Sequence, residues 1–196
     1  MARHVCPWWL AYTFDNPLRR IFHKPEEIFF PYLREGMTAI DLGCGMGYFS
    51  IGMAKLVGES GKIISVDLQE KMLETLMQRA RKAGVAHRIT TLLCEDDNIG
   101  IHEAVDFALA FWMTHETQDE LSFLQQVHAI LKKSGKFLLA EPKGHVTAAE
   151  FKKTLSFAQK SGFNLIDSPI ISLSHAALFE KNGDKPQPAP FFGLKE

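Results

Sequence analysis

The chain has 196 residues and a mass of 22.1 kDa, about the size of one domain, and area scaling buries roughly 70% of the surface of a chain this long. Hydrophobic residues at 46% and charged residues at 23% exclude a disordered chain, and a formal charge of −1 disfavours a long nucleic-acid partner. Three cysteines (Cys6, Cys44, Cys94) are too few for a disulfide framework. The longest apolar stretch, Ala104–Met113, is interrupted by Asp106 and is about half a membrane span. The opening MARHVCPWWLAYTF lacks the apolar run of a secretory leader, so a reducing, cytoplasmic setting is expected.

From Met37 onward, short apolar runs alternate with amphipathic segments. Thr38–Leu42 predicts a strand that ends in Gly-Cys-Gly-Met-Gly. Phe49, Met53, Leu56 and Val57 follow at helical spacing, with Gly58 as the stop. Lys62–Val66 is β-branched and brief, hence a strand. Met72, Leu73, Leu76, Met77 and Ala80 form a helix stripe that Gly84 closes in a left-handed cap. Ile89–Leu93 and Val105–Ala110 read as strands. Thr117–Glu120 has the form of a capping box, with Leu121, Leu124, Val127 and Leu131 on one face behind it. Lys136–Ala140 is the next strand. Thr147–Glu150 is a second capping box, opening a helix with Phe151, Leu155 and Ala158 that closes at Gly162. Two last strands lie near Phe163–Asp167 and His175–Glu180. These elements predict an α/β fold: a doubly wound, mostly parallel sheet covered on both faces, one of the last strands pairing antiparallel. Three segments are expected: an N-terminal helical or lid segment over 1–36, the main domain over 37–181, and an irregular Pro-rich tail over 182–196.

Ligands of such sheets sit at the carboxyl ends of the strands, which directs attention to a few positions. Gly43, Cys44, Gly45 and Gly47 form a loop where backbone can approach a ligand at a helix N-terminus; a tight strand-to-helix turn is the plainer alternative. The dinucleotide pattern G-x-G-x-x-G fails here, because Tyr48 stands at the sixth place. Asp41, two residues before the first glycine, suits a cationic amine better than a pyrophosphate. Asp67, at the end of the second strand, is placed to accept from both hydroxyls of a ribose, or to stand as an acid at a helix start.

These residues resemble the class I S-adenosylmethionine-dependent methyltransferases over about Pro25 to Lys181. The segment E-G-M-T-A-I-D-L-G-C-G-M-G-Y-F-S looks like that family's first motif, and the acid at the next strand end and L-K-K-S-G-K-F-L-L-A-E-P follow in order. The nearest flavour is the small-molecule branch that includes the ubiquinone and menaquinone C-methyltransferases. The resemblance implies a seven-stranded Rossmann-like sheet with the last strand antiparallel, and S-adenosylmethionine as methyl donor, leaving S-adenosylhomocysteine. It assigns Asp41 and Gly43–Gly47 to the methionine end, Asp67 to the ribose and Leu68 to the adenine. Glu95, with Asp96 second, would accept from the adenine amino group. Phe111 would line the methionine part, where the family usually has a small or polar residue.

On the acceptor side, His115 stands where the family often has His, and a neutral imidazole there can serve as base near pH 7; a histidine bonded at a helix start is the alternative. Glu141, Lys143 and His145 are further candidates, the last two to bind an anionic acceptor or, on the favoured reading, to cap the helix that begins at Thr147. Trp8, Trp9, Tyr12, Phe14 and Asp15 would form a lid or pack as core, and Arg19, Arg20, His23 and Lys24 a solvated basic patch. No cysteine pair has C-x-x-C spacing, so no metal is expected. The function expected is methyl transfer to a small-molecule acceptor, away from membranes. The alternatives are an RNA or protein methyltransferase, a nucleoside-binding module without catalysis, and a nicotinamide oxidoreductase, this last weakened by Tyr48 and Asp41.

Overall fold

A computed structural model of the chain describes residues 22–95 and 98–181. The lid residues Trp8 to Asp15, with Cys6, Arg19, Arg20, Asp96 and the tail from Asn182, lie outside them. A short helix α1 (Pro25–Phe29) precedes the sheet. The strands are β1 (Thr38–Leu42), β2 (Lys62–Asp67), β3 (Ile89–Leu93), β4 (Val105–Phe111), β5 (Leu131–Pro142), β6 (Phe163–Asp167) and β7 (Ser174–Lys181). The helices between them are α2 (Tyr48–Leu56), α3 (Glu70–Lys82), α4 (Glu120–Ile130) and α5 (Ala148–Lys160). Strand order is β3-β2-β1-β4-β5-β7-β6. β7 alone runs against its neighbours, pairing antiparallel with β5 and β6.

Both faces of the sheet are covered, which is why its strands are apolar on both sides. Beneath α1–α3 lie Phe29, Phe49, Met53, Leu76 and Phe107; on the other face Phe123, Leu124, Val127, Phe151 and Phe163 pack under α4 and α5. Helix α1 rests so closely on α2 that a Cβ at Gly52 would stand 2.2 Å from Pro25 Cβ. Helix α3 ends in a full left-handed cap: Val85 N–H donates to Ala80 O at 3.0 Å and Gly84 N–H to Arg81 O at 3.1 Å.

Three sequence expectations are corrected. Thr117 does not cap α4, because its hydroxyl donates to Thr114 O within a 3-10 turn over Thr114–Glu116. The helix starts later, and Asp119 caps it by accepting from Ser122 N–H at 3.0 Å. The buried stripe of α4 is accordingly Phe123, Leu124, Val127 and Ile130. Strand β5 begins at Leu131, which pairs Val105 before a register shift to Phe107 opposite Lys136. His23, read as part of a solvated patch, is 2% exposed. The second capping box forms as expected, Thr147 and Glu150 each satisfying the other's backbone N–H.

Candidate functional site

The strand order reverses between β1 and β4, so the crevice of the sheet opens above their carboxyl ends. The loop after β1 carries three left-handed glycines, Gly43 (φ 66°), Gly45 (φ 52°) and Gly47 (φ 81°). They are left-handed for different reasons. A Cβ at Gly47 would fall 2.4 Å from Leu76 Cγ, and one at Gly43 would fall 2.9 Å from Met113 of the β4 loop. Those two let helix and loop close on the turn. Among the described residues a Cβ at Gly45 would meet nothing within 4 Å, so the open side of the loop lies there with respect to them.

Two carboxylates flank this loop. Asp41 is 2% exposed and accepts from Ser50 Oγ at 2.5 Å, while Ser65 Oγ donates to Ser50 Oγ at 2.9 Å. This buried chain of hydroxyls links α2, β2 and β1, and sequence reading missed it. Only the spacing of nine residues from Asp41 to a serine in the first turn of α2 could have hinted at it. Asp67 bridges the loop to α3, accepting from Gly45 N–H at 2.8 Å and from Gln69 N–H at 2.9 Å. Burial pushes its carboxyl up, opposed by the backbone N–H groups of Gln69, Gly45 and Leu68. The acid therefore does stand at the helix start, and it faces the loop at the same time. Leu68 follows, half-buried. Glu95 is exposed and bridges Asn98 at the end of β3.

Cys44 is buried, its N–H donating to Val66 O at 3.0 Å. Burial first, then the charges of Asp41 and Asp67, push its thiol well above the usual range. Among the described residues no cluster of three or more His, Cys, Asp or Glu could hold a metal. No helix of the described residues is long and apolar enough to cross a membrane.

The β4 side is built of rings. Phe111 is 5% exposed and packs 4.3 Å from Phe49 and 5.2 Å from His23, centroid to centroid. Trp112, left-handed at φ 60°, sits 5.1 Å from His23 and donates through Nε1 to Ser174 Oγ at 2.9 Å. His23 donates through Nε2 to Ser172 O at 2.7 Å, and its own carbonyl accepts from Tyr48 O–H at 2.6 Å. The residues before α1 are thereby tied across the strand ends to the β6–β7 loop.

Beyond Trp112, His115 and Glu141 come together. Glu141, 1% exposed, accepts from His115 Nδ1 at 2.5 Å and from Thr114 N–H at 2.9 Å. Burial alone would lower the imidazole's pKa, but the hydrogen bond and charge of Glu141, with the charge of Glu116, hold it above its ordinary 6.5. The ring of His145 lies parallel to it at 6.3 Å. Lys143 and His145 are exposed on the turn after β5, Lys143 N–H donating to Leu173 O at 2.9 Å.

Comparison with known proteins assigns the class. The family model described as a methyltransferase domain matches residues 33–182, and the chain belongs to that family. A solved S-adenosylmethionine-dependent methyltransferase from Aquifex aeolicus superposes with a TM-score of 0.80 at 22% identity, covering 90% of this chain and 99% of that one. A demethylmenaquinone methyltransferase of Lactobacillus johnsonii is 27% identical over 168 residues, 81% of this chain and 66% of the relative. The ubiquinone/menaquinone biosynthesis C-methyltransferase of Haemophilus ducreyi is 26% identical over 110 residues, 56% of this chain and 42% of that protein. The chain thus spans less than two thirds of the length of these curated relatives. Family and fold together imply S-adenosylmethionine as the cofactor.

Proposed function

We propose that this chain transfers the methyl group of S-adenosylmethionine to a small-molecule acceptor, with the methyl donor held along the β1–β2–β3 strand ends. Asp41 and the loop Gly43–Cys44–Gly45–Met46–Gly47 take the methionine end. Asp67 accepts from the ribose hydroxyls, Leu68 packs on the adenine, and Glu95, with Asp96 beside it, accepts from the adenine amino group. Phe111 closes the methionine side and His115 faces the acceptor. Gly45 is the observation that carries this reading: its backbone is left-handed, its N–H meets Asp67, and a Cβ there would touch none of the described residues.

The methyl of S-adenosylmethionine arrives already activated on a sulfonium, and its transfer leaves a neutral thioether. The residues of this chain need chiefly to hold the two partners in line at about 3–3.5 Å and to exclude water. The formal charge of −1 favours a small acceptor over a nucleic acid. The names of the quinone-methylating relatives make a hydroquinone the first acceptor to try.

Calorimetric titration of S-adenosylhomocysteine into the chain and into Asp67→Ala tests the assignment. Loss of a charged acceptor costs about 1.5–3 kcal/mol, a drop in affinity of roughly 10- to 150-fold. Equal affinity in the two proteins would remove Asp67 from the site.

A further inference from the structure

The pairing of His115 with Glu141 says more about the acceptor than the fold does. Glu141 lies near the end of β5, opposite His175 of β7, and is 1% exposed. A carboxylate stripped of water survives only with good partners. Each of its oxygens has one: Thr114 N–H on Oε1 and His115 Nδ1 on Oε2. Thr114 is itself held by the hydroxyl of Thr117 at 2.7 Å. The carboxylate is therefore fixed in orientation, and as an acceptor it places the ring hydrogen on Nδ1. Nε2 is left with its lone pair, on a side chain that is 29% exposed.

We propose that Glu141 is a positioning residue that makes His115 Nε2 the proton acceptor of the reaction, so that the acceptor is a hydroxyl compound or a carbon acid that gives up a proton from the methylated atom. This rests on the methyltransferase reading above. A thioether needs no base, because its lone pair is free at any working pH. With a hydroxyl or carbon acid, the proton passes to Nε2 and the electron pair it leaves forms the bond to the methyl carbon. The S–CH₃ bond breaks with its pair remaining on sulfur, and the imidazolium releases its proton to solvent. The charged and titratable groups that face the pair are Glu116 on the same turn, His145 after β5, and Glu120 of α4, which acts on Glu141 beside Lys153 of α5.

Glu141→Gln separates this role from a structural one. The amide oxygen still accepts from Thr114, but the amide NH₂ is a donor, so the hydrogen of His115 moves to Nε2 and the base is lost while the shape is kept. The test is long-range ¹H–¹⁵N spectroscopy of histidine-labelled full chain, with and without S-adenosylhomocysteine, the His115 signals assigned with His115→Asn. The wild type is expected to show hydrogen on Nδ1 and a titration above 6.5. Glu141→Gln should show hydrogen on Nε2 and a lower titration, with S-adenosylhomocysteine affinity unchanged. With hydroquinone as acceptor and radiolabelled S-adenosylmethionine, the wild-type rate should rise with pH along the His115 titration. Glu141→Gln should lose about 10²-fold or more in kcat with KM for the methyl donor nearly unchanged, as expected for a lost base. Hydrogen on Nε2 in the wild type overturns the proposal, and that spectrum decides even if Glu141→Gln does not fold. The proposal is equally overturned if the wild type methylates dimethyl sulfide, a thioether that gives up no proton, as fast as hydroquinone. Failure of S-adenosylhomocysteine to bind the wild type strikes the methyltransferase reading instead, and is read in the same samples independently of the tautomer.

Discussion

The two halves of the crevice are built differently. Around β1 and β2 the site is backbone and short side chains: three left-handed glycines, two acids and two serines, all within a stretch of 27 positions from Asp41 to Asp67. Around β4, β5 and β7 it is rings and long-range pairs. His23 meets Ser172 across 149 residues, Trp112 meets Ser174 across 62, and His115 meets Glu141 across 26. The first half, proposed to hold the methyl donor, takes its glycines and acids from one short run of sequence. The second must be assembled from distant segments, and it is the half proposed to face the acceptor.

Substitutions at the glycine loop divide the first half into what holds the fold and what meets the ligand. Gly47→Val should be the most damaging. Its Cβ would overlap Leu76 and its φ of 81° suits no branched residue, so overpacking and backbone strain together cost about 2–4 kcal/mol, read by urea unfolding. Gly45→Val meets no neighbour and should cost only the left-handed strain, about 1–2 kcal/mol. It should nonetheless abolish S-adenosylhomocysteine binding, because the added side chain fills the open side of the loop. If Gly45→Val binds normally, the ligand does not lie there. A smaller effect is expected after the turn that follows β5: Thr147→Ala removes a complete capping box and should cost about 1 kcal/mol with methyl-donor affinity intact.

The second half carries a pH signature. Because the folded pKa of His115 is raised above its ordinary 6.5, the protonated ring stabilises the fold. That contribution is fully present below 6.5 and is lost as pH rises through the folded value. Unfolding free energies of wild type and His115→Asn at pH 5.5 and pH 9 should therefore differ more at the lower pH. An equal difference at both would mean that Glu141 does not hold the ring as described.

The same contrast explains what could be read from the sequence. Alternating strands and helices, the glycine loop, Asp41 and Asp67 were legible because each leaves a pattern within a short run of residues, although Asp67 meets Gly45 only across 22 residues. The capping box at Thr147 formed for the same reason. The one at Thr117 did not, because the 3-10 turn before it claimed the hydroxyl, a competition that a four-residue pattern cannot register. His23 looked like surface beside arginines and a lysine. It is buried because Phe49 of α2 and Phe111 and Trp112 at the end of β4 meet it from two other segments. Glu141 was visible as an acceptor-side candidate at a strand end, but its pairing with His115 depends on a turn 26 residues earlier. Ser50 and Ser65 were silent, since only the packing of α2 on the sheet brings them under Asp41.

Titration of the full chain with S-adenosylmethionine, S-adenosylhomocysteine and NADH by calorimetry tests the central claim most directly. The glycine loop between Asp41 and Asp67 calls for saturable, one-to-one binding of the first two and none of the third. Binding of NADH, or of none of the three, would contradict it.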